Sequence, residues 1–354
     1  MSVVRRKILL LIVLSVISLV VLFVLSLSSL VFGLKEASLW DVLASLHRLI
    51  IFGGPISGSL LPPGVDLSLD SILYYSRIPR TITAILVGSG LAVSGTIMQA
   101  LVRNPLVDPY ISGVSSGAAF GAVLFLLTSW LTGVAQSVSL SVAAFAGGLT
   151  AFTITFLIYR ASGETPLSFV LGGVIVGVAF SSMTTLIIVT SDKELHGVLF
   201  WIYGSVAYTK WDEVYVLAPT VVSLILVCLL LARTFNVFML GDEQAAQMGV
   251  NVKLFRRGMM VVAALLASVC VAFTGIIGFV GLVIPHMIRL SLGNDHRLLL
   301  PLSSISGANL LLAADILARV AMKPVELPIG VITSFVGIPF FAYLLIKKGR
   351  KYGM

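Results

Sequence analysis

Long apolar runs, each about the length of a bilayer crossing and parted by short polar breaks, dominate the chain. A membrane-spanning helix needs about 20 mostly apolar residues. The first run, Ile8–Phe32, has no charge and follows Arg5, Arg6 and Lys7. It exceeds the apolar core of a signal peptide, about 7–15 residues, and shows no small-x-small cleavage site, so it is expected to stay as a span. Nine further runs follow: Thr81–Leu101, Ile111–Leu131, Val138–Tyr159, Ser168–Thr190, Val214–Leu231, Met259–Thr274, Ile276–Leu292, Leu300–Ala318 and Leu327–Ile346. The pattern predicts an all-α polytopic membrane protein of about ten transmembrane helices in one domain over residues 1–354. An even number of crossings puts both termini on one side.

Leu34–Ser76 breaks the rhythm. It holds an amphipathic piece, Leu39–Ile51, and then a Gly/Pro/Ser-rich tract from Gly53 to Ser68, and reads as a long loop on the outer face. With the termini inside, fifteen Lys and Arg fall on the inner side and eight on the outer. That asymmetry obeys the positive-inside bias and sets both termini in the cytoplasm.

Composition sharpens the class. Apolar residues make up 58% and charged residues 11% of 354, which excludes a water-soluble enzyme or nucleic-acid-binding module despite a net charge of +8. The only cysteines, Cys228 and Cys270, lie within apolar runs, so no disulfide framework or thiolate metal cluster is available.

Glycines recur at helical spacing, as in Gly113, Gly117 and Gly121, then Gly173 and Gly177, then Gly275, Gly278 and Gly281. Membrane helices associate through close backbone contact, which small residues permit, so these are expected packing faces. Gly88-Ser-Gly90 is no dinucleotide fingerprint, because no strand precedes it and no third glycine follows at the required spacing. The chain has no G-x-x-x-x-G-K-[ST] and no H-E-x-x-H, so it carries neither its own nucleotide cradle nor a metalloprotease helix.

Asp315 is the one carboxylate well inside an expected span, with Arg319 at i+4. Intramembrane charges persist where they serve a pathway or a partner. The pair reads first as a structural ion pair near the outer end, with a proton relay in an ion-coupled secondary transporter as the alternative. His286, after Pro285, has no companion ligands and predicts no metal site, and His47, His196 and His296 read as loop residues.

Residues 233–257 form a polar cytoplasmic loop holding Gly241-Asp-Glu-Gln-Ala-Ala-Gln-Met-Gly249. Asp242 and Glu243 favour the first turn of a short helix, and Gly249 suits its end. The helix is either a solvated connector or one whose small face, Ala245 and Ala246, docks into a cytoplasmic partner. Arg77, Arg80 and Arg319 sit at outer span ends. They are suited either to gripping carboxylates of a delivery protein or to interfacial snorkelling.

Seven stretches, in order, resemble the permease family of ABC importers for vitamin B12, ferric siderophores and haem, the BtuC/FecCD type. They are R-I-P-R-T from Arg77, V-G-S-G-L-A-V-S-G-T-I-M-Q-A-L-V-R-N-P-L-V-D-P over Val87–Pro109, I-S-G-V-S-S-G-A from Ile111, G-D-E-Q-A-A-Q-M-G from Gly241, G-I-I-G-F-V-G-L-V-I-P-H-M-I-R over Gly275–Arg289, D-H-R-L-L-L-P from Asp295 and E-L-P-I-G-V-I-T from Glu326. The resemblance implies a BtuC-like, type II importer fold in the cytoplasmic membrane, embedded in lipid, working as a homodimer with the substrate path between protomers. It implies two ATP-binding subunits, which hold the ATP and Mg, and an extracytoplasmic substrate-binding protein. By position it assigns Gly241, Asp242, Glu243, Ala245, Ala246 and Gly249 to the ATPase contact, Arg77, Arg80 and Arg319 to binding-protein docking, and Glu164, Thr165, Pro166, Leu167 and Ser168 to the inner gate. The chain itself would be no enzyme and would hold no cofactor. Two departures stand out: the long outer loop with Pro55, Pro62 and Pro63, and Thr165-Pro166 where the vitamin B12 member has a small hydroxyl pair.

Overall fold

The computed structural model describes residues 3–33, 37–55, 67–132, 140–191 and 201–349, and all their regular structure is helical. The helices are α1 (Val3–Val31), α2 (Leu39–Phe52), α3 (Leu67–Ile72), α4 (Ile78–Val102), α5 (Val114–Thr132), α6 (Leu140–Ala161) and α7 (Pro166–Thr190). Then come α8 (Trp211–Leu230), α9 (Ala232–Phe238), α10 (Asp242–Gln247), α11 (Val252–Thr274), α12 (Val280–Leu292), α13 (His296–Val320) and α14 (Ile329–Gly349). Each of the ten expected spans overlaps one described helix. Seven described helical segments are long and apolar enough to cross a bilayer, and Val114–Thr128, Val280–Leu292 and Ile329–Tyr343 are shorter apolar helices.

The bundle is built around α4. A π-helical turn, Leu73–Arg77, joins α3 to α4 as one rod, Ser68–Val102, whose most apolar window is 89% buried against 6% for α1. Three glycines make this possible. Gly88 meets the backbone of Gly307 on α13, Gly90 meets Cys270 on α11, and Gly95 meets the backbone of Gly281 on α12. A methyl group at Gly88 or Gly95 would run into main-chain atoms, so only glycine lets these axes approach. Polar side chains on α4 bond to neighbouring carbonyls rather than to water: Ser94 Oγ donates to Ala263 O at 2.8 Å and Ser89 Oγ to Ser304 O at 3.1 Å. A second close contact joins α5 to α6, where Gly117 and Gly121 lie on Gly147 and Ala143. The glycine faces expected from the sequence are real at these positions, whereas Gly278 has open space beside it.

Contacts fix the direction of each helix. Arg80, Gly88 and Ser89 of α4 meet Asp315, Gly307 and Ser304 of α13, so these two run antiparallel. Ser29 and Ser18 of α1 meet Arg319 and Asn309, so α1 runs parallel to α13. The end where α1 begins is called proximal below, and the other distal.

The expectation of a long loop over Leu34–Ser76 is corrected. Most of its described part is helical: α2, α3 and the π turn. Ser38 and Asp41 form a capping box that starts α2, and Gly53 ends it in the left-handed conformation at φ 71°. Arg48 on α2 makes a two-point ion pair with Asp70 on α3, at 2.9 and 2.7 Å, and Ser45 donates to the same carboxylate. This ion pair joins the two helices that flank the Gly/Pro/Ser-rich tract, most of which lies outside the described residues. Pro62 and Pro63 lie outside the described residues.

Gly95→Ala is expected to destabilise the protein by about 1–3 kcal/mol through overpacking, seen as a lower unfolding temperature in detergent. Gly258, inside α11 with open space beside it, is the control: Gly258→Ala should stabilise by up to about 1 kcal/mol through helix propensity.

Candidate functional site

Charged side chains gather at the two ends of the bundle. At the distal end Asp315 is fully buried between two arginines. Arg80 Nε donates to Asp315 Oδ1 at 2.9 Å, and Arg319 donates to Oδ2 at 2.7 Å. Arg80 also reaches Glu326 at 3.0 and 3.2 Å. Arg319 further bonds the carbonyls of Ser29 and Phe32, both at 3.0 Å, and Ser29 Oγ at 2.7 Å, fastening the last turn of α1. Arg77 donates to the carbonyls of Leu30 and Val31. Arg319 thereby satisfies carbonyls that the end of α1 leaves without an intrahelical partner.

The expected docking arginines are therefore corrected in exposure. Arg77, Arg80 and Arg319 are only 5%, 6% and 4% exposed and are engaged within the chain, so none presents a free guanidinium. The half-exposed member of the cluster is Glu326. The structural ion pair expected for Asp315 and Arg319 is present, enlarged by Arg80.

At the proximal end, α10 is a single exposed helix of six residues. Gly241 precedes it at φ 126° and Gly249 follows at φ 84°, conformations that exclude most side chains. Asp242 does not cap α10; its carboxylate reaches sideways. Arg256 on α11 donates to its two oxygens at 2.8 and 2.7 Å, and Arg103, at the end of α4, donates at 2.6 Å. Both guanidinium groups also lie over the Phe238 ring, at 5.1 and 5.2 Å. Burial opposes ionisation of Asp242, but the hydrogen bonds from Arg256 and Arg103 outweigh it and hold the carboxyl below its ordinary range. Ala245, expected on a docking face, is instead fully buried within the chain. The exposed residues are Asp242, Glu243, Gln244, Ala246, Gln247, Met248 and Gly249.

The expected gate residues form the turn between α6 and α7. Thr165 caps α7 by accepting from Ser168 N at 3.1 Å, the Ser168 hydroxyl accepts from Thr165 N at 3.1 Å, and Pro166 takes the first turn. Leu167 is 66% exposed. Glu164 adopts φ 58° and is clamped by Arg257 of α11, whose Nε donates to Oε2 at 3.2 Å and whose second nitrogen bonds Oε1. The hydrogen bond from Arg257 holds the Glu164 carboxyl below its ordinary range.

Arg103, Arg256, Arg257 and Glu326 were not singled out from the sequence. For the two carboxylate clamps the available signal was the adjacent Arg256-Arg257 pair, two cations in a loop that also carries two carboxylates. His296, expected in a loop, opens α13 and is buried, stacked on Phe235 with ring centres 5.3 Å apart. Its backbone N donates to Asn236 Oδ1 at 2.7 Å. Among the described residues, no three His, Cys, Asp or Glu side chains gather as metal ligands.

The profile of the FecCD transport family matches residues 11–347. The chain belongs to that family. It is 40% identical over 283 residues to the cobalamin import system permease protein BtuC of Halobacterium salinarum, covering 80% of this chain and 75% of that one. It is 39% identical over 274 residues to the hemin transport system permease protein HmuU of Yersinia pestis, covering 77% and 82%. Its fold matches a transporter described as of the metal-chelate ABC type, solved in an inward-facing conformation. The TM-score is 0.72 at 32% identity, with 86% of this chain and 98% of that one covered. The FecCD chain described here is thus an ABC importer permease, a multi-pass protein of the cell membrane.

Replacing Asp315 by Asn leaves two buried guanidinium groups sharing one fewer carboxylate, and is expected to cost about 3–5 kcal/mol. Glu326→Gln, at the exposed edge, should cost less than about 1 kcal/mol. Thermal unfolding in detergent separates the two.

The clamps on Asp242 and Glu164 have a defined pH response. Both carboxyls are lowered in the folded protein, so the stability they add is present above the ordinary carboxyl value of about 4 and is lost as pH falls through the lower folded values. Amide exchange over residues 242–249, corrected for intrinsic rates, should therefore stay slow from neutral pH to about 5 and quicken only in stronger acid. Asp242→Asn should show fast exchange already at neutral pH.

Proposed function

We propose that the chain is the transmembrane subunit of an ATP-driven importer that moves a metal chelate, such as cobalamin, a ferric siderophore or haem, through a path between two copies of itself. Two ATP-binding subunits sit at the proximal, cytoplasmic end and hold the ATP and Mg. A substrate-binding protein delivers cargo at the distal, outer end. Both termini are cytoplasmic, in keeping with the Lys and Arg excess on that side. The cargo class follows what the cobalamin and hemin relatives are named for.

One observation carries this reading: α10, a helix too short to be stable alone, is displayed at the surface yet pinned through Asp242 to both α4 and α11. A solvated connector needs no such anchoring. A rigid projection tied to the central helix is what a partner must push to move the bundle. Closure of an ATPase dimer would displace α10 and shift the spans between two packings that differ by a few kcal/mol. The alternative of ion-coupled transport through Asp315 gains no support, because that carboxylate is held by two arginines and fully buried.

The outward face of α10 is the place to test it. Met248→Arg combined with Ala246→Arg is expected to reduce ATP-driven uptake in reconstituted vesicles more than about tenfold, the equivalent of 1.4 kcal/mol of lost contact. The unfolding temperature of the isolated chain should not change, because both side chains are exposed. Undiminished uptake would overturn the assignment of α10 to the ATPase contact.

A further inference from the structure

Arg256 and Arg257 are consecutive on the second turn of α11, and each holds a carboxylate from a different element. Successive helical residues point about 100° apart, which is why two neighbours reach two separate targets. Arg256 takes Asp242 of α10 at 2.7 and 2.8 Å. Arg257 takes Glu164 in the α6–α7 turn. These elements lie far apart in sequence and meet through this one dipeptide.

The two holds differ in kind. The Arg256 side chain is 9% exposed, lies over Phe238 and faces the Tyr159 hydroxyl at the end of α6. Tyr159 and Arg256 are both buried. The Arg257–Glu164 pair is 34% and 19% exposed, which makes it far cheaper to break. Glu164 also sits in the left-handed conformation, at φ 58°, which a residue with a side chain rarely adopts. Nothing about the turn itself asks for glutamate there, and glycine would fit its backbone better.

We propose that Arg256 and Arg257 are a paired linkage: Arg256 keeps α11 attached to α10, and Arg257 transmits the resulting movement of α11 to the Glu164–Ser168 turn by holding or releasing Glu164. This rests on α10 being the ATPase contact. Arg257 and Glu164 are positioning residues, acting on the turn and not on cargo.

The test uses the assembled transporter in vesicles, scoring cargo moved per ATP hydrolysed. Glu164→Gln and Arg257→Gln should each lower that ratio about threefold, as expected for loss of a half-exposed ion pair. The charge swap, Glu164→Arg with Arg257→Glu, should recover most of it. Glu164→Gly, which suits the backbone but lacks the carboxylate, should behave like Glu164→Gln. Nitroxide labels on Leu167 of both copies should report an ATP-dependent distance change that the single variants blunt and the swap restores. Normal coupling in Glu164→Gly, or no recovery in the swap, would overturn the linkage. If only the linkage is wrong, Met248→Arg with Ala246→Arg still uncouples; if that variant also has no effect, the ATPase-contact reading has failed instead.

Discussion

The distance between α4 and its neighbours is the constraint from which the rest of the structure follows. In a bilayer no expelled water drives apolar faces together, so association depends on contact at short range. Gly88, Gly90 and Gly95 put three different helices against one rod within about two turns. Each contact fixes a register: Gly307 of α13, Cys270 of α11 and Gly281 of α12 can each face only one level of α4. That register brings Arg80 level with Asp315 at the distal end and Arg103 level with Asp242 at the proximal end. The two charged clusters are thus consequences of one packing arrangement.

How much could be read beforehand depended on distance along the chain. The ten spans were legible because apolar length is a local property, and the ion pair of Asp315 with Arg319 was legible because its members are four residues apart. Pairs across the fold were not. Arg103 meets Asp242 across 139 residues, and Arg257 meets Glu164 across 93. No periodicity encodes such a meeting. The distal arginines were placed at the surface because they flank apolar runs, Arg77 and Arg80 opening one and Arg319 closing another; the terminal carbonyls of α1 and a fully buried aspartate draw them inward. The family resemblance pointed to residues 164–168 and 241–249, and what each of these side chains touches came only with the structure.

The short loops also show how composition misleads when tertiary partners exist. Gly, Pro and Ser between Gly53 and Ser68 signal a loop, yet α2 and α3 on either side are joined by Arg48 and Asp70. Ala245 and Ala246 look equivalent in sequence, but only Ala246 is presented outward, since Asp242 fixes the rotation of α10 by reaching toward Arg256. One carboxylate decides which face of a six-residue helix a partner can meet.

The two ends therefore differ in what they allow. The distal network is desolvated except at Glu326, and parting Asp315 from Arg80 or Arg319 strands a buried charge at a cost of several kcal/mol, comparable to the whole stability of a domain. It is suited to remain intact while other parts move. Of the proximal pairs, Arg257–Glu164 is the more open to water, which replaces much of what is lost when it parts, whereas the Arg256 side chain that holds Asp242 is nearly buried. On the function proposed above, the fixed point is closed over Asp315, and the contact that parts is Arg257–Glu164, where α11 meets the α6–α7 turn.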